Sequence, residues 1–591
     1  MSKILLKRLT STKSLSSIRL FIRKKKKFKI TKSSGTRKIY VILVLIISIL
    51  LGLSIYITPS VKDRNAKLSD FSSIRATDYL KNIAKEPHPV GSKEHDKVRD
   101  YLFEQLTDLG LKPEIQKGDF KVETKFGAET SSAENIIARI EGTQKGKAVL
   151  LVAHYDSAKE GPGAADNASS VACILETVRA LKFSEPLKND IIVLFSDAEE
   201  IYLNGAGGFV QYHPWFKDVG IVINFEAKGS SGPSIMFETS ANNSAIVNEY
   251  IKAADFPVTF SLTNEMYKMM PNDTDLSVFK NAGIQGINFA FANSPSVYHT
   301  KKDTISNLSM NSLQHQGENV LNMARHFGNI DLNRLNTSST DCVYFSIIHS
   351  VVVSYPNSIV LPLSVIVIIL YFIIIIYAIK SGEMKLKNIL KSFFKLILCT
   401  FISIILALII TIIICIIALV FSLRLDKVAI MNFYLLTLIV IASLSFVIFY
   451  IRYNKNCTNI ESIMGSLLIW IFLDIITSIL MKGVSYLFFW PFLLSIPGIF
   501  IVLLIKKKSI KIKVEYIVFL LLSAPSIILL IPIIYLLNVA MFLAAFPIQM
   551  LLIAMILSVL IPSVDMFLQS RVKVCGALKE ESEYLEENDT I

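Results

Sequence analysis

Apolar residues follow two patterns along this chain. From Asp63 to about Asn336 they form short runs separated by polar and charged residues; from Ile359 onward they lengthen into Ile/Leu/Val runs with few charges. In the first part, residues 65–335, the runs Ala148–Ala153, Ile191–Phe195, Gly220–Phe225, Ser234–Phe237 and Ile287–Phe291 stand out. Continuous β-branched runs of this length predict strands buried on both faces of a mostly parallel sheet. Between them, Ser169–Leu181 and Ser244–Ala254 carry helical periodicity. The alternation predicts an α/β fold, a mostly parallel-stranded sandwich.

The long runs predict membrane helices. Tyr40–Ile57 is near the length of about 20 residues that spans a bilayer, and further runs lie at 359–379, 396–422, 431–451, 463–480, 485–505, 515–536 and 538–568. The first follows a long basic segment and its apolar core is longer than a cleaved signal would need, so 40–57 is expected to be a retained signal anchor. The rest make a polytopic domain over 359–568 of about seven helices. Asp474 interrupts one span and Asp565 lies near the end of the last. A lone intramembrane carboxylate is a functional candidate by default, with a helix-end contact or a loop residue as the alternatives.

Composition agrees with this division. At 591 residues the chain exceeds one ordinary domain, and 52% hydrophobic with only 18% charged residues is unusual for a soluble enzyme. Mean hydropathy is +0.50. The net charge of +13 gathers at Arg23–Lys27, Lys380–Lys395 and Lys506–Lys513, each beside an apolar span. No basic stripe interleaved with aromatics runs through the soluble part, which argues against a nucleic-acid partner. The lysine-rich loops 380–395, 452–462 and 506–514 are all cytosolic if the anchor enters from the cytosol, while 423–430 and 481–484 are short with few charges. This orientation puts the tails 1–39 and 571–591 in the cytosol and 65–335 outside it, with the lipid bilayer as a partner. Of 6 cysteines only Cys173 and Cys342 fall in or near the soluble part, so no disulfide framework is implied.

Candidate chemistry sits directly after the predicted strands. His154-Tyr155-Asp156 follows the first, Ser196-Asp197-Ala198-Glu199-Glu200 the second and Glu226 the third. In open α/β sheets, sites form outside the carboxyl ends of the strands. A hydrolytic zinc centre needs imidazole and carboxylate ligands, an open position and a nearby base. His154, Asp166, Glu200, Glu226 and His299 are the candidate ligands, and Glu199, beside one of them, is the candidate base. Residues two apart at a strand end point the same way, so Asp156 could orient His154. The turn-forming stretch Gly161–Asn167 would return Asp166 toward His154; taken alone, the same Asp or Asn reads as a helix cap.

These motifs together resemble the co-catalytic zinc peptidases that include bacterial secreted aminopeptidases, aminopeptidase Y and glutamate carboxypeptidase. The resemblance covers about residues 75–330 and rests on HYDS at 154, GPGAADNASSVA at 161, FSDAEE at 195, NFEAKG at 224, NDTDLSVFKNAGIQGINFAF at 272 and VYHTKKDT at 297. It implies two zinc ions per chain, with Asp166 bridging, His154 and Glu226 completing one site, and Glu200 and His299 the other. It implies Glu199 as general acid/base and Asp156 as support for His154. Many such proteins have Asp where this chain has Glu226. The implied function is a membrane-anchored exopeptidase, an aminopeptidase, that hydrolyses peptides outside the cytosol by a two-zinc bridging-water mechanism. The alternative is a non-catalytic receptor-like, scaffold or transport protein with the same domain. Anchor, domain and following helices resemble the endoplasmic-reticulum and vacuolar membrane metallopeptidase branch. The short stretch after the last span departs from its large eukaryotic members, which leaves a bacterial plasma membrane open beside those organelles. Nothing in the sequence indicates an oligomeric state.

Overall fold

The computed structural model describes residues 39–560 except 125–126, 271, 338, 424, 426, 454–456 and 508–511. The basic cluster Arg23–Lys27, Asp565 and the tail 571–591 lie outside the described residues, as does the rest of the N-terminal tail apart from Ile39.

The soluble part is built on a seven-stranded sheet: β1 (Glu114–Thr124), β2 (Gly127–Ile140), β3 (Ala148–His154), β4 (Ile191–Ser196), β5 (Val219–Ala227), β6 (Ile235–Thr239) and β7 (Gly286–Phe291), in the order β1-β2-β4-β3-β5-β7-β6. The four central strands β4, β3, β5 and β7 run parallel, while β1, β2 and β6 pair antiparallel at the two sides. All five strands expected from apolar runs are present. β1 and β2 carry no such run: their polar residues outnumber the apolar ones, because most of this long hairpin projects beyond the two-sided core.

The central runs are continuous because each face of the sheet is covered. Val149, Leu151, Ile191, Val193 and Phe195 pack on one side with Leu80, Leu102, Val178 and Val320. Leu150, Val152, Ile192 and Leu194 pack on the other with Phe209 and Phe279. Alternation along each strand thus feeds two cores, so the runs Val149–Val152 and Ile191–Phe195 are apolar at every position. The helices behind the first group are Ser73–Ile83, Lys93–Asp108, Ser170–Leu181 and Met310–Phe327.

A buried ion cluster locks two of these helices together. Glu176, with no exposed side-chain surface, accepts from Arg75 Nε at 2.7 Å and from Arg179 Nε at 2.7 Å. The two guanidinium groups in turn donate to backbone carbonyls of Arg64, Ala66, Leu68 and Asp70. The segment entering from the membrane is pinned to the helix that follows the Asp166 turn.

Eight helices among the described residues are long and apolar enough to cross a membrane, from Ile39–Tyr56 to Phe542–Leu560. The third, Leu386–Val420, begins before the expected 396, since Lys387, Lys391 and Lys395 extend the helix along one stripe instead of ending it. The span between 335 and 359, to which no element is assigned on apolar pattern, contains a hairpin of β8 (Cys342–Ile348) and β9 (Val351–Pro356). Cys342 and Tyr344 pack into the soluble core and Val343 and Phe345 into the membrane-side core, so one strand belongs to both. Asp474 is fully buried in Asn459–Leu480, with Ser478 Oγ at 3.3 Å from Oδ1.

Removing the Glu176 carboxylate leaves two guanidinium groups without their buried partner. Glu176→Leu is expected to cost about 3–5 kcal/mol, read as a shift of the chemical-denaturation midpoint; an unchanged midpoint would show that the cluster contributes nothing net.

Candidate metal centre

His154 is the last residue of β3 and is 1% exposed. Its Nδ1 faces the backbone carbonyl of Asp156 at 3.0 Å, and Asp156 Oδ1 at 3.4 Å. This fixes the ring with Nε2 toward Asp166 Oδ1 at 3.5 Å and Glu226 Oε2 at 3.5 Å. On the far side, His299 Nε2 stands 3.1 Å from both Asp166 Oδ2 and Glu200 Oε2. Asp166 therefore gives one carboxylate oxygen to each set. The five candidate ligands form two groups of three, His154-Asp166-Glu226 and Asp166-Glu200-His299, each with ligand atoms within 4.8 Å of one another.

The separations can be tested against a metal. Ligand atoms 2.0–2.2 Å from one zinc ion stand roughly 3.3–3.6 Å apart in a tetrahedron. The 3.5 Å gaps around His154 match that spacing and exceed the 2.7–3.2 Å of a good hydrogen bond. Glu200 Oε1 is buried and has no hydrogen-bond partner, so this carboxylate has an oxygen to spare. Imidazole and carboxylate donors at this spacing suit a borderline-soft divalent ion in the His154 set, while the 3.1 Å contacts of His299 are those of hydrogen bonds.

Local backbone explains how each group arrives. Gly163 has φ +64, and a Cβ there would meet the Asp166 carbonyl oxygen at 2.5 Å, so the turn requires glycine. Asp166 then takes φ −112 and ψ 92, out of helical geometry, within the irregular turn Ala164–Ser169. Asp303 holds this turn by accepting from Ala165 N at 2.7 Å and Asp166 N at 3.1 Å. Asp166 is not a cap for the following helix, whose N-cap is Ser169. After β4, Ala198 at φ 55 reverses the chain and presents Glu199 and Glu200 together. His299 also has a left-handed φ of 52, with the Tyr298 ring stacked on it at 3.8 Å.

Asp156 does more than its expected part. Its carboxylate accepts from Glu199 N and Glu200 N, each at 3.2 Å, so one side chain ties the glutamate turn to the His154 loop. Behind it, Asp197 accepts from Glu134 N at 2.7 Å and Ala198 N at 2.8 Å, and pairs with His95 Nε2 at 2.8 Å. Asp303 and Asp197 lie inside the quoted motifs, but only the folded chain reveals their partners. His95, far upstream, carries no signal at all in sequence.

The electrostatics are those of concentrated negative charge. Among the described residues, Asp166, Glu199, Glu200 and Glu226 have only His154 and His299 as ion-pair partners. Burial raises the Glu199 carboxyl well above its usual range, with Glu226, Asp275 and Glu200 adding to it against the pull of His154. Burial, with Asp166 adding, brings Glu200 up to about 7. Burial opposes charge on His299, but its bonds to Asp166 and Glu200 outweigh that and raise it to about 10. Burial also raises Asp275 to about 7, against the hydroxyl of Ser196. Asp166 shifts the other way: burial raises it, but the hydrogen bonds from His154 and His299 outweigh that and lower its carboxyl.

Residues 135–324 match the model of Peptidase family M28. Endoplasmic reticulum metallopeptidase 1 of Mus musculus is 32% identical over 329 residues, 51% of this chain and 36% of that protein. Vacuolar membrane protease of Candida dubliniensis is 31% identical over 314 residues, 52% of this chain and 32% of that protein. The match spans about a third of the length of these relatives. Among solved structures, an aminopeptidase from Aneurinibacillus sp. strain AM-1 is similar at 15% identity and a TM-score of 0.36, covering 44% of this chain and 95% of that one.

The raised groups fix the sign of a pH effect. A carboxyl near 7 when folded and about 4 when unfolded binds more protons in the native state between those values, so stability falls as pH rises through them. His299, near 10 when folded, adds stability that is full below about 6.5 and lost as pH climbs through 10. The chelated chain is therefore expected to melt at a lower temperature at pH 8 than at pH 5. Equal melting temperatures would mean that the cluster is compensated by other charges.

Proposed function

We propose that this chain, which carries a peptidase family M28 domain over residues 135–324, is a membrane-embedded zinc exopeptidase, an aminopeptidase acting on peptides at the non-cytosolic face. The observation that carries the reading is the pair of donor sets sharing Asp166. His154, Asp166 and Glu226 would hold one zinc ion, and Asp166, Glu200 and His299 the other. When bound, such a pair polarises the scissile carbonyl and lowers the pKa of the attacking water.

The remaining roles fall to the chain's own groups. Glu199 belongs to neither donor set, yet its Oε2 is 3.9 Å from His154 Nε2. Its buried carboxyl, with a raised proton affinity, suits acceptance of the water proton and its delivery to the leaving amine. Asp156 acts as a positioning residue, because the same carboxylate stands beside His154 and anchors the backbone of Glu199 and Glu200. Glu199 and Glu226 offer negative charge for a substrate α-ammonium group, which favours an aminopeptidase. The names of the relatives, a metallopeptidase and a membrane protease, support peptide hydrolysis at a membrane.

The sidedness rests on charge and connectivity. The helix Ile39–Tyr56 ends, and Asn357–Lys380 begins, where each meets the soluble domain. Ser54 Oγ accepts from His349 N at 3.0 Å, which ties the end of the first helix to the turn of the β8–β9 hairpin that precedes the second. Lys380 and Lys385 lie at the opposite end of the second helix, which favours a domain outside the cytosol.

The test uses the full chain in detergent micelles. About two zinc ions per chain and chelator-sensitive release of N-terminal amino acids from a mixed peptide pool are expected. Glu199→Gln should keep both metals and lose about 10²–10⁴-fold in kcat. A folded chain that binds no zinc and cleaves nothing would overturn the reading and favour a receptor-like role.

A further inference from the structure

A row of polar side chains crosses the sheet beneath Glu226. Asn224 on β5 is paired in register with Asn288 on β7, and Asn288 with Glu238 on β6. Asn224 and Asn288 have no exposed surface and Glu238 is 2% exposed. Two amides and a carboxylate in such a place are costly unless their polar atoms are bonded.

The bonds run in one direction. Asn224 Nδ2 donates to Glu226 Oε1 at 2.9 Å and to Asn288 Oδ1 at 3.1 Å. Asn288 Nδ2 donates to Glu238 Oε2 at 3.1 Å and to Thr274 Oγ1 at 2.9 Å. Glu238 Oε1 accepts from the Lys280 ammonium group, which reaches in from the helix Asp275–Asn281. Asn224 Oδ1 is left buried with no partner.

That direction follows from the far end of the row. An amide has one donating and one accepting end, and an ionised carboxylate only accepts. Glu238 already accepts from Lys280 at Oε1 and offers Oε2 as a further acceptor, so Asn288 turns its NH2 toward Glu238 and Thr274, leaving Oδ1 facing Asn224. The Asn224 atom between Asn288 Oδ1 and Glu226 Oε1 then has to be the NH2, even though its own oxygen goes unpaired. Reversing the row would set an amide oxygen against the Glu226 carboxylate.

We propose that Lys280 and Glu238, acting through Asn288 and Asn224, are positioning residues for the metal ion at Glu226. With Oε1 tied to Asn224, Oε2 is the oxygen left facing His154 Nε2 at 3.5 Å. Asn167 Nδ2 also approaches Oε2, at 3.4 Å, from the Asp166 turn. The inference rests on the reading that Glu226 holds a zinc ion, and assigns the control of that one ligand to an ion pair three hydrogen bonds away.

The experiment is a competitive zinc titration of the full chain, stripped by chelator, in detergent micelles, with metal-free thermal melting measured alongside. Lys280→Met and Asn224→Leu are each expected to weaken one of the two zinc equivalents about 10–100-fold and leave the other unchanged. Lys280→Arg should restore the wild-type affinities. Lys280 lies at the rim with its side chain 27% exposed, so its replacement keeps the test valid if Asn224→Leu does not fold. Two wild-type affinities in Lys280→Met would overturn the proposal, and so would an equal loss at both sites accompanied by a lower melting temperature. A wild-type chain that took up no zinc would overturn the peptidase reading, and this inference with it.

Discussion

Burying negative charge without a compensating cation is the constraint around which the soluble domain is arranged. Asp166, Glu199, Glu200 and Glu226 converge at the carboxyl edge of the sheet, and two imidazoles are their only ion-pair partners among the described residues. Left bare, such a cluster lowers its cost by holding protons. A divalent ion held among these donors would offset that charge.

Keeping those groups apart from one another but close to a common centre falls to the sheet and its loops. Parallel strands β3, β4 and β5 end side by side, and each delivers a different donor at its carboxyl end. The Asp166 turn and the His299 loop come in from elsewhere and are held by Asp303, Gly163 and Tyr298. Asp156 then joins two of the loops through the amides of Glu199 and Glu200. The candidate centre is thus a property of backbone positions first and of side chains second.

The membrane half is joined to this scaffold by packed contacts as well as by covalent links. β8 contributes alternate residues to the soluble and membrane-side cores. Ser261 Oγ donates to Gly483 O at 2.6 Å, between two membrane helices. Tyr535, near the end of another, meets Asn293 just beyond β7 at 3.4 Å. The sheet edge that carries the candidate centre therefore faces the same boundary as the helices.

Much of this was legible in the chain itself. The division into short and long apolar runs, the five buried strands and the order of His154, Asp166, Glu199, Glu200, Glu226 and His299 follow from residue type and spacing, because burial on two faces and bilayer thickness act on local stretches. The hairpin β1–β2 was not legible, since its polar sequence lacks the continuous run that marks a covered strand. Neither was the strand β8, whose alternate residues serve two different cores.

The sequence determined which solvent each half occupies and which donors are available. Only the tertiary structure decided that Asp166 turns one oxygen to each donor set, that Asp303 and Asp156 hold backbone amides, and that an amide row leads from Lys280 to Glu226. The physical reason is separation along the chain: Asp166 and His299 meet across 133 residues and Asn224 and Asn288 across 64, distances over which spacing in sequence carries no geometry.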